Sequence, residues 1–409
     1  MRNAARFGLL TGLVMAAGSV LAMAQEAQRP SSMLDTAGEK VQQAPLRFSG
    51  EVRGVYTDNR DSAPVKESNF DTFLIPKVEL GVDGQTYLVD AYYAPQLRYR
   101  SNPADNQNDS DLFHDLGVKL DLKPDPTLTF RVREKFNYSD DPAVDMNGVN
   151  VRENVSYYLN MIELGMKKRF AVYSEGDLFV RSMVKRYEED NVAYDSDRDQ
   201  LDVGGYLWRQ VQPTLGVRGK AVYSMYTYGS TDTSFADRDF NMLSGSVELL
   251  KRLNPAFIGN LAVGAQMAEY SSDAIDSQFS PYAQIGVAGE ARPDLRVNAS
   301  LTHGLRESYA APFASQIYDQ LSGRVELDTS ETVTLAAFGT YRVSQYDTDV
   351  DPTGVAVDGD ETTVQVGADM TVRMGQVALK VGHTYEDVDS DVFLSFKKNT
   401  TSASMLVQF

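Results

Sequence analysis

The sequence predicts an all-β protein, a transmembrane antiparallel up-and-down β-barrel of about 18 strands, with 16 strands as the alternative. Three observations favour this fold: an N-terminal export signal, apolar and polar residues that alternate with a period of two, and connections that are alternately short and long. The same observations divide the chain into a signal peptide (residues 1–24), a flexible periplasmic lead-in (25–45) and an outer-membrane barrel (46–409).

The composition excludes several classes of protein. The 409 residues include no cysteine, so disulfides, thiolate catalysis and cysteine-bound metals are excluded. The chain has 39 Lys and Arg against 57 Asp and Glu, a net charge of −18. This charge argues against a nucleic acid as partner, because nucleic-acid binding needs a basic surface.

The N-terminus has the three parts of a secretory signal peptide. Arg2 and Arg6 form the basic start, residues 7–23 carry no charge, and Ala22-Met23-Ala24 is a small-x-small cleavage site. A membrane anchor is the alternative, but the apolar stretch is short for a span of about 20 residues. We therefore predict export and cleavage near Ala24. The polar residues 25–45 are too few for a plug domain, and we expect them to form a flexible lead-in.

From residue 46 onward the side chains alternate, as expected when one face of a strand meets lipid and the other meets water. Val132, for example, lies between Arg131 and Arg133. We predict 18 strands, at residues 46–56, 71–82, 86–100, 111–122, 127–138, 153–166, 171–187, 199–211, 214–228, 239–250, 256–270, 279–289, 295–306, 318–328, 332–344, 361–373, 377–386 and 399–409. The segment 153–166 is the least regular, because its alternation breaks between Ile162 and Met166.

The connections also alternate. Short turns rich in Pro, Gly, Asn and Asp, such as 83–85 and 123–126, are followed by loops of about 10–17 residues, such as 57–70 and 139–152. Outer-membrane barrels have short periplasmic turns and longer extracellular loops, and an even strand number places both chain ends in the periplasm. A soluble secreted β-sandwich, the alternative fold, would not need this regularity. The last strand ends at Phe409, which resembles the terminal insertion signal of bacterial outer-membrane barrels.

The predicted lumen face is rich in basic residues on the odd-numbered strands 3, 5, 7 and 9. A barrel of 16–18 strands normally encloses water, so a basic wall would favour anionic solutes. The members of this wall are Arg98, Arg100, Arg131, Arg133, Lys135, Arg181, Lys185, Arg218 and Lys220. The alternative is a charge ladder in which acidic residues of neighbouring strands pair with these cations. Candidate acids are Asp90, Asp115, Asp121, Glu248, Glu326, Asp328 and Asp369.

Four aromatic residues are also predicted to face the lumen, and flat rings there could contact sugars or pack at a constriction. They are Tyr92, Tyr158, Tyr206 and Trp208. The three histidines, His114, His303 and His383, are predicted on the lipid-facing side near the extracellular rim. No G-x-S-x-G elbow, metal-spaced histidine pair or phosphate-binding glycine loop accompanies them. We therefore expect no catalytic residue, no metal, no cofactor and no enzymatic activity.

Several short motifs carry a family resemblance: the strand 74–80, the strand ends 97–100 and 185–188, and the loop-to-strand entries 196–199 and 236–239. Over residues 46–409 the chain resembles the β-barrel porins that accompany bacterial exopolysaccharide gene clusters. The resemblance implies an outer-membrane exit for a polysaccharide, fed by a periplasmic export partner. The basic wall would then guide an acidic polymer outward.

Two other functions remain open at this point. One is a general or solute-selective diffusion porin for small nutrients, and the other is a non-conducting structural or adhesive barrel. Pore width and a loop folded into the lumen would distinguish these functions from export. In each case the expected partners are outer-membrane lipid, lipopolysaccharide and the barrel-assembly machinery.

Overall fold

The computed structural model describes residues 45–103, 108–139, 156–188, 197–229, 239–272, 276–308, 313–348, 357–392 and 394–409. The predicted signal peptide and residues 25–44 of the lead-in lie outside these ranges. In the described ranges, no helix is long and apolar enough to cross a membrane.

Eighteen antiparallel strands form one closed sheet, so the predicted fold and the higher of the two predicted strand numbers are confirmed. The strands are β1 (Leu46–Thr57), β2 (Asn69–Asp83), β3 (Tyr87–Arg100), β4 (Ser110–Asp125), β5 (Leu128–Ser139), β6 (Tyr157–Ala171), β7 (Ser174–Tyr187), β8 (Arg198–Gln212), β9 (Leu215–Tyr228), β10 (Phe240–Arg252), β11 (Phe257–Tyr270), β12 (Gln278–Arg292), β13 (Leu295–Glu307), β14 (Ser315–Asp328), β15 (Val333–Thr348), β16 (Val357–Met374), β17 (Val377–Ser390) and β18 (Phe396–Gln408). Each strand pairs with the next in the chain, and pairing of β1 with β18 closes the barrel. Closure gives every strand a neighbour on both sides, as a membrane requires.

The predicted strand boundaries are furthest from the structure at β6. This strand begins at Tyr157 and ends at Ala171, whereas the prediction placed it at 153–166. The basic residues 167–169 looked like a turn, but they continue the strand, and the Arg169 backbone N–H donates to Thr127 O at 2.7 Å. Basic side chains at this end of the strand lie at the level of the periplasmic turns, where they meet water and not lipid.

The two faces of the sheet differ in polarity. Large apolar side chains such as Leu97, Leu164 and Leu207 are exposed on the outside, where a soluble protein would not leave so extended an apolar surface. The intervening residues point inward and form ion pairs, such as Arg98 with Asp71 and Glu163 with Arg181. The two faces therefore fit a barrel with lipid outside and a polar lumen.

The extracellular end departs from a regular barrel between β12 and β13. Pairing of these two strands ends at Ala283 and His303, although β13 continues to pair with β14 as far as Glu307 and Ser315. Beyond His303 the end of the β13–β14 sheet turns into the barrel and lies against its inner wall. We call residues 304–308 and 313–317 the inner flap.

The sequence at this break fits the change of path. Pro281 lies on the free edge of β12 and has no N–H to offer a neighbouring strand. Gly304 lies at the bend, where a Cβ would come 2.5 Å from the side-chain oxygen of Gln266. A larger residue at position 304 would therefore hold the flap away from β11.

Replacement of Phe409 by serine is expected to lower the amount of assembled barrel. The Phe409 side chain is 79% exposed, and its backbone N–H, which donates to Phe48 O at 2.9 Å, would remain. The loss would therefore reflect recognition by the assembly machinery and not fewer internal contacts. The amount of heat-modifiable barrel in membranes would be compared with that of Gln408→Ser. Equal amounts of the two variants would show that Phe409 is not an insertion signal.

Candidate functional site

The candidate site is the lumen, and its wall at β5–β8 is a network of ion pairs. Arg131 binds Asp177 through both guanidinium nitrogens, with two N–O distances of 2.7 Å. Arg181 lies 2.7 Å from Glu163, and Arg133 lies 3.6 Å from the same carboxylate. The arginines predicted as a basic wall are therefore largely neutralised by acids of neighbouring strands.

Arg131 and Asp177 lie on strands that are not neighbours, because β6 runs between β5 and β7. The guanidinium crosses β6 at Gly165, which pairs with Arg131 in the sheet register. A Cβ on Gly165 would come 2.8 Å from the Arg131 Nη2 atom. A side chain at position 165 would therefore require the Arg131 guanidinium to shift from its present path across β6.

The same pairing extends to the other predicted members of the wall. Arg98 lies 2.6 Å from Asp71, Arg100 contacts Asp111, and Arg218 contacts Glu248. The Lys185 ammonium lies 4.7 Å and 4.8 Å from the ring centroids of Tyr157 and Tyr187. On the opposite wall, Arg296 and Arg324 pair with Glu326, Asp328 and Asp369. This arrangement corresponds to the charge-ladder alternative.

Two lysines of the predicted wall differ from the arginines. In the described part of the chain, neither Lys135 nor Lys220 has a carboxylate within 4 Å. Lys220 is exposed on the inner face, where its sheet partners are Tyr206 and Ser246. Together with Lys185, whose ammonium lies over two tyrosine rings, these lysines provide positive charge that the ladder does not pair with a carboxylate.

Three of the four predicted lumen aromatics lie on the inner face. Tyr92 donates its hydroxyl proton to Asp115 at 2.9 Å, and the Arg218 guanidinium lies 5.7 Å from the Tyr206 ring centroid. Trp208, two residues along the same strand from Tyr206, lies against Gly216 of β9. Tyr206 and Trp208 therefore form a strip of rings beside a cation.

The predicted position of Tyr158 is wrong, because its side chain lies on the outer face. The Tyr158 side chain is 41% exposed, and Tyr158 pairs with Tyr138 in the sheet. In β5 and β6 the inward-facing residues, such as Asn137 and Glu163, have odd numbers, so the even-numbered Tyr138 and Tyr158 face outward. Two consecutive tyrosines begin β6, so their aromatic character could not show which of them faces lipid. Glu163 and Lys167, at odd-numbered positions, would have set the correct phase.

The inner flap is held by polar contacts to the inner wall formed by the strands that precede β13. The carboxylate of Glu307 contacts Arg198 of β8 and accepts the hydroxyl proton of Tyr228 of β9. The Ser315 hydroxyl contacts Tyr270 and donates to Gln278 at 2.6 Å. These contacts span β8 to β12.

A small apolar cluster completes the contact between flap and wall. Leu305 is 1% exposed and packs with residues of the inner wall, whereas Leu301 on the same face of β13 points to lipid. The other members of the cluster are Tyr226, Tyr228, Phe240, Ala268 and Ala314. The face of β13 that meets lipid at Leu301 therefore packs on the inner wall at Leu305, and the flap forms a second layer inside the barrel.

This second layer narrows the extracellular mouth. Phe313 of the flap packs on Tyr346 of β15 with ring centroids 5.0 Å apart. Next to this contact, Arg342 and Glu361 are buried inside the barrel, 3.7 Å apart. Lower on the wall, Arg133 is half exposed. Side chains of the flap and of β15 therefore pack together inside the mouth, while Arg133 remains accessible deeper in the lumen.

One group of side chains resembles a catalytic triad but lacks the access that catalysis needs. Ser280 Oγ lies 3.5 Å from His303 Nε2, and His303 Nδ1 lies 2.9 Å from Asp319. Ser280 is completely buried where the flap leaves the wall, and its hydroxyl donates to Pro281 O at 3.0 Å. A substrate could not reach this hydroxyl, so the group stabilises the bend.

The other two histidines make single hydrogen bonds on the outer face. His114 lies 2.9 Å from the Tyr93 hydroxyl, and His383 lies 2.9 Å from the Thr401 hydroxyl. Among the described residues, no three acidic or histidine side chains are close enough to hold a metal ion.

Comparisons with known proteins agree with this architecture. Solved barrels from Pseudomonas aeruginosa superimpose on the chain: OccK9 (OpdG) with a TM-score of 0.51, 12% identity and coverage of 89% of this chain and 98% of that one. OpdQ superimposes with a TM-score of 0.51 and 10% identity, covering 89% of this chain and 98% of its own. OccK8 (OprE) superimposes with a TM-score of 0.50 and 10% identity, covering 90% of this chain and 99% of its own. Such low identities show a shared fold alone. A comparison with curated protein sequences gives no match.

The family comparison covers nearly the whole barrel-forming chain. The model of the family described as "Putative beta-barrel porin 2" matches residues 35–409, which include all eighteen strands. The chain therefore belongs to this family of outer-membrane β-barrel porins, and it is a channel protein and not an enzyme.

Proposed function

We propose that this porin is a solute-selective diffusion channel for small hydrophilic molecules. The observation that carries the proposal is the inner flap, which adds a second layer of side chains inside the extracellular mouth of the barrel. A barrel of this strand number would otherwise enclose a broad aqueous channel.

The charge ladder supports the same function. Paired arginines and carboxylates line the lumen with hydrogen-bond donors and acceptors, which suit hydroxylated and zwitterionic solutes in water. The charges of Lys135 and Lys220 would add a modest preference for anions. A wall of uncompensated arginines would instead select anions strongly.

We expect the purified barrel to conduct ions in planar bilayers and to pass small sugars and amino acids, but not larger oligosaccharides, into proteoliposomes. Reversal potentials in a salt gradient should show weak anion preference, which Lys220→Gln should reduce. Lys119→Gln is the control, because Lys119 lies on the inner face near Asp90 and Asp121. The absence of any conductance would contradict the proposal and favour a structural or adhesive barrel.

Export of an acidic exopolysaccharide is the second candidate. The strip formed by Tyr206 and Trp208, beside Arg218 and Lys220, favours it, since flat rings and cations suit acidic sugars. Export would require displacement of the flap and a periplasmic partner that delivers the polymer. Deletion of the gene would distinguish the candidates. Loss of secreted polysaccharide with normal growth supports export, and a growth defect on particular small carbon sources supports uptake.

If export is the function, simultaneous charge reversal at Arg131, Arg133 and Lys135 should reduce it while leaving the amount of barrel measurable. Unchanged export would contradict a guiding role for this part of the wall.

A further inference from the structure

We propose that the inner flap is a movable gate, which leaves the inner wall of β8–β11 to open the extracellular mouth. The proposal rests on the channel function and goes beyond it, since a fixed constriction would also select solutes. It predicts two conductance levels that exchange as the flap binds and leaves the wall.

The first argument is the way the flap is attached. Along β11–β12 and β14–β15, strand pairing continues to Ala268 with Gln278 and to Gln316 with Tyr346. Between β12 and β13 the described pairing stops at Ala283 with His303, so no backbone ladder joins the flap to the wall it covers. Side chains carry the contact, including Gln266, whose carbonyl accepts the Leu305 backbone N–H at 2.8 Å. Displacement of the flap would therefore break no described β12–β13 pair, and it would bend the β14–β15 ladder at its end, where Gln316 and Ile317 pair with Tyr346 and Gln345.

The second argument is the chemistry of the contact. Glu307 with Arg198 and Tyr228, and Ser315 with Tyr270, are polar pairs whose partners can exchange to water as the flap moves. The apolar part is small, with Leu305 and Ala314 as its buried flap members. Polar pairs and a small apolar cluster hold the flap against the wall less firmly than a large apolar core would, so the flap can leave the wall.

The third argument is the hinge. Gly304 is the first flap residue after the last β12–β13 pair, and glycine tolerates changes of backbone angle that other residues resist. Pro281 on the facing edge cannot donate a ladder hydrogen bond, so β12 does not simply recapture β13. Gly304 and Pro281 therefore both keep β12 and β13 unpaired beyond Ala283 and His303, and the flap would pivot at this point.

The absence of cysteine makes a direct test practical. Gln278→Cys with Ser315→Cys would be bridged by a short bis-methanethiosulfonate, and single channels would be recorded before and after reduction with dithiothreitol. We expect bridging to abolish the higher conductance level and reduction to restore it. The control pair is Ser300→Cys with Ser322→Cys, which face each other on the inner side of β13 and β14 below the flap. Complete bridging at 278 and 315 with unchanged conductance would overturn the gate.

A second measurement does not depend on conductance. Ala268→Cys places a thiol in the fully buried contact, where a membrane-impermeant maleimide reaches it only when the flap leaves. Adding Glu307→Gln should speed labelling about tenfold, the factor that corresponds to about 1.4 kcal/mol. Equal labelling rates would show a fixed flap. A barrel that never conducts but labels faster in the Glu307 variant would overturn the channel proposal and retain the moving flap.

Discussion

Replacing Glu307 by glutamine is expected to widen the extracellular mouth and to make cells more sensitive to large hydrophilic antibiotics. Glu307 and Arg198 form an ion pair inside the barrel in which each side chain is only 5% exposed, and Tyr228 donates to the same carboxylate. Removing one member of a buried pair destabilises the closed position, because the remaining charge keeps its desolvation penalty. Displacing the flap would return Arg198 to water, so the open position is favoured.

The measurement is the minimum inhibitory concentration of vancomycin, together with the mean conductance of the purified channel. Glu326→Gln is the matched control, since Glu326 lies on β14, also pairs with arginines, and lies away from the flap. If the Glu307 and Glu326 variants behave alike, the carboxylate of Glu307 does not hold the flap.

Exchanging the charges of Arg198 and Glu307 tests whether the attraction between these two side chains holds the flap in place. Arg198→Glu alone should resemble Glu307→Gln, whereas Arg198→Glu combined with Glu307→Arg should restore part of the low conductance. Partial recovery is expected because the exchanged side chains differ in length and in their geometry toward Tyr228. A double variant more permeable than either single variant would argue against direct pairing.

The barrel itself could be predicted from the sequence, because lipid imposes a regular pattern on every strand. A strand with lipid on one side and water on the other must alternate, and closure favours an even number of strands. This reasoning placed Arg131, Arg218 and Trp208 on the correct face. It failed at Tyr158, where two adjacent aromatic residues fit either face.

The charge network could not be predicted, because pairing depends on register and on small residues in intervening strands. The Arg131–Asp177 pair crosses β6 at Gly165, where the lack of a side chain leaves space for the guanidinium. A single sequence shows neither fact, so it left open both an unpaired basic wall and a charge ladder, without naming the partner of each arginine.

The inner flap was also beyond the sequence pattern. Residues 307–317 were predicted as an ordinary extracellular loop, although β14 begins at Ser315. Leu305 and Glu307 continue the alternation of β13, but their outward side meets the inner wall and not lipid. Pro281 and Gly304 were the available signals, and each is also common in regular barrels. The packing of the inner flap on the barrel wall is a tertiary contact, and the alternation of apolar and polar residues along a strand does not encode it.

Replacing Gly216 by alanine is expected to prevent normal assembly of β8 and β9. A Cβ at position 216 would lie 1.4 Å from the Cη2 atom of Trp208, far inside contact distance, so the indole must leave its place. Overpacking of this kind typically costs about 1–3 kcal/mol even where neighbouring groups can adjust. Trp208 lies between Glu175 and Arg218 in the register, so movement of its ring would disturb the contacts of both neighbouring strands. We expect a lower unfolding temperature and less heat-modifiable barrel.

Gly219→Ala is the control on the same strand, because a Cβ there has no heavy atom within 4 Å. It should assemble like the unmodified protein. The double variant Gly216→Ala with Trp208→Ala should recover assembly, because removing the indole removes the clash. If Gly216→Ala assembles as well as Gly219→Ala, the Trp208 ring does not occupy the position described. If the double variant stays defective, position 216 needs glycine for a reason other than the ring. Recovery in the double variant would establish that this glycine is required to seat the aromatic strip on the lumen wall.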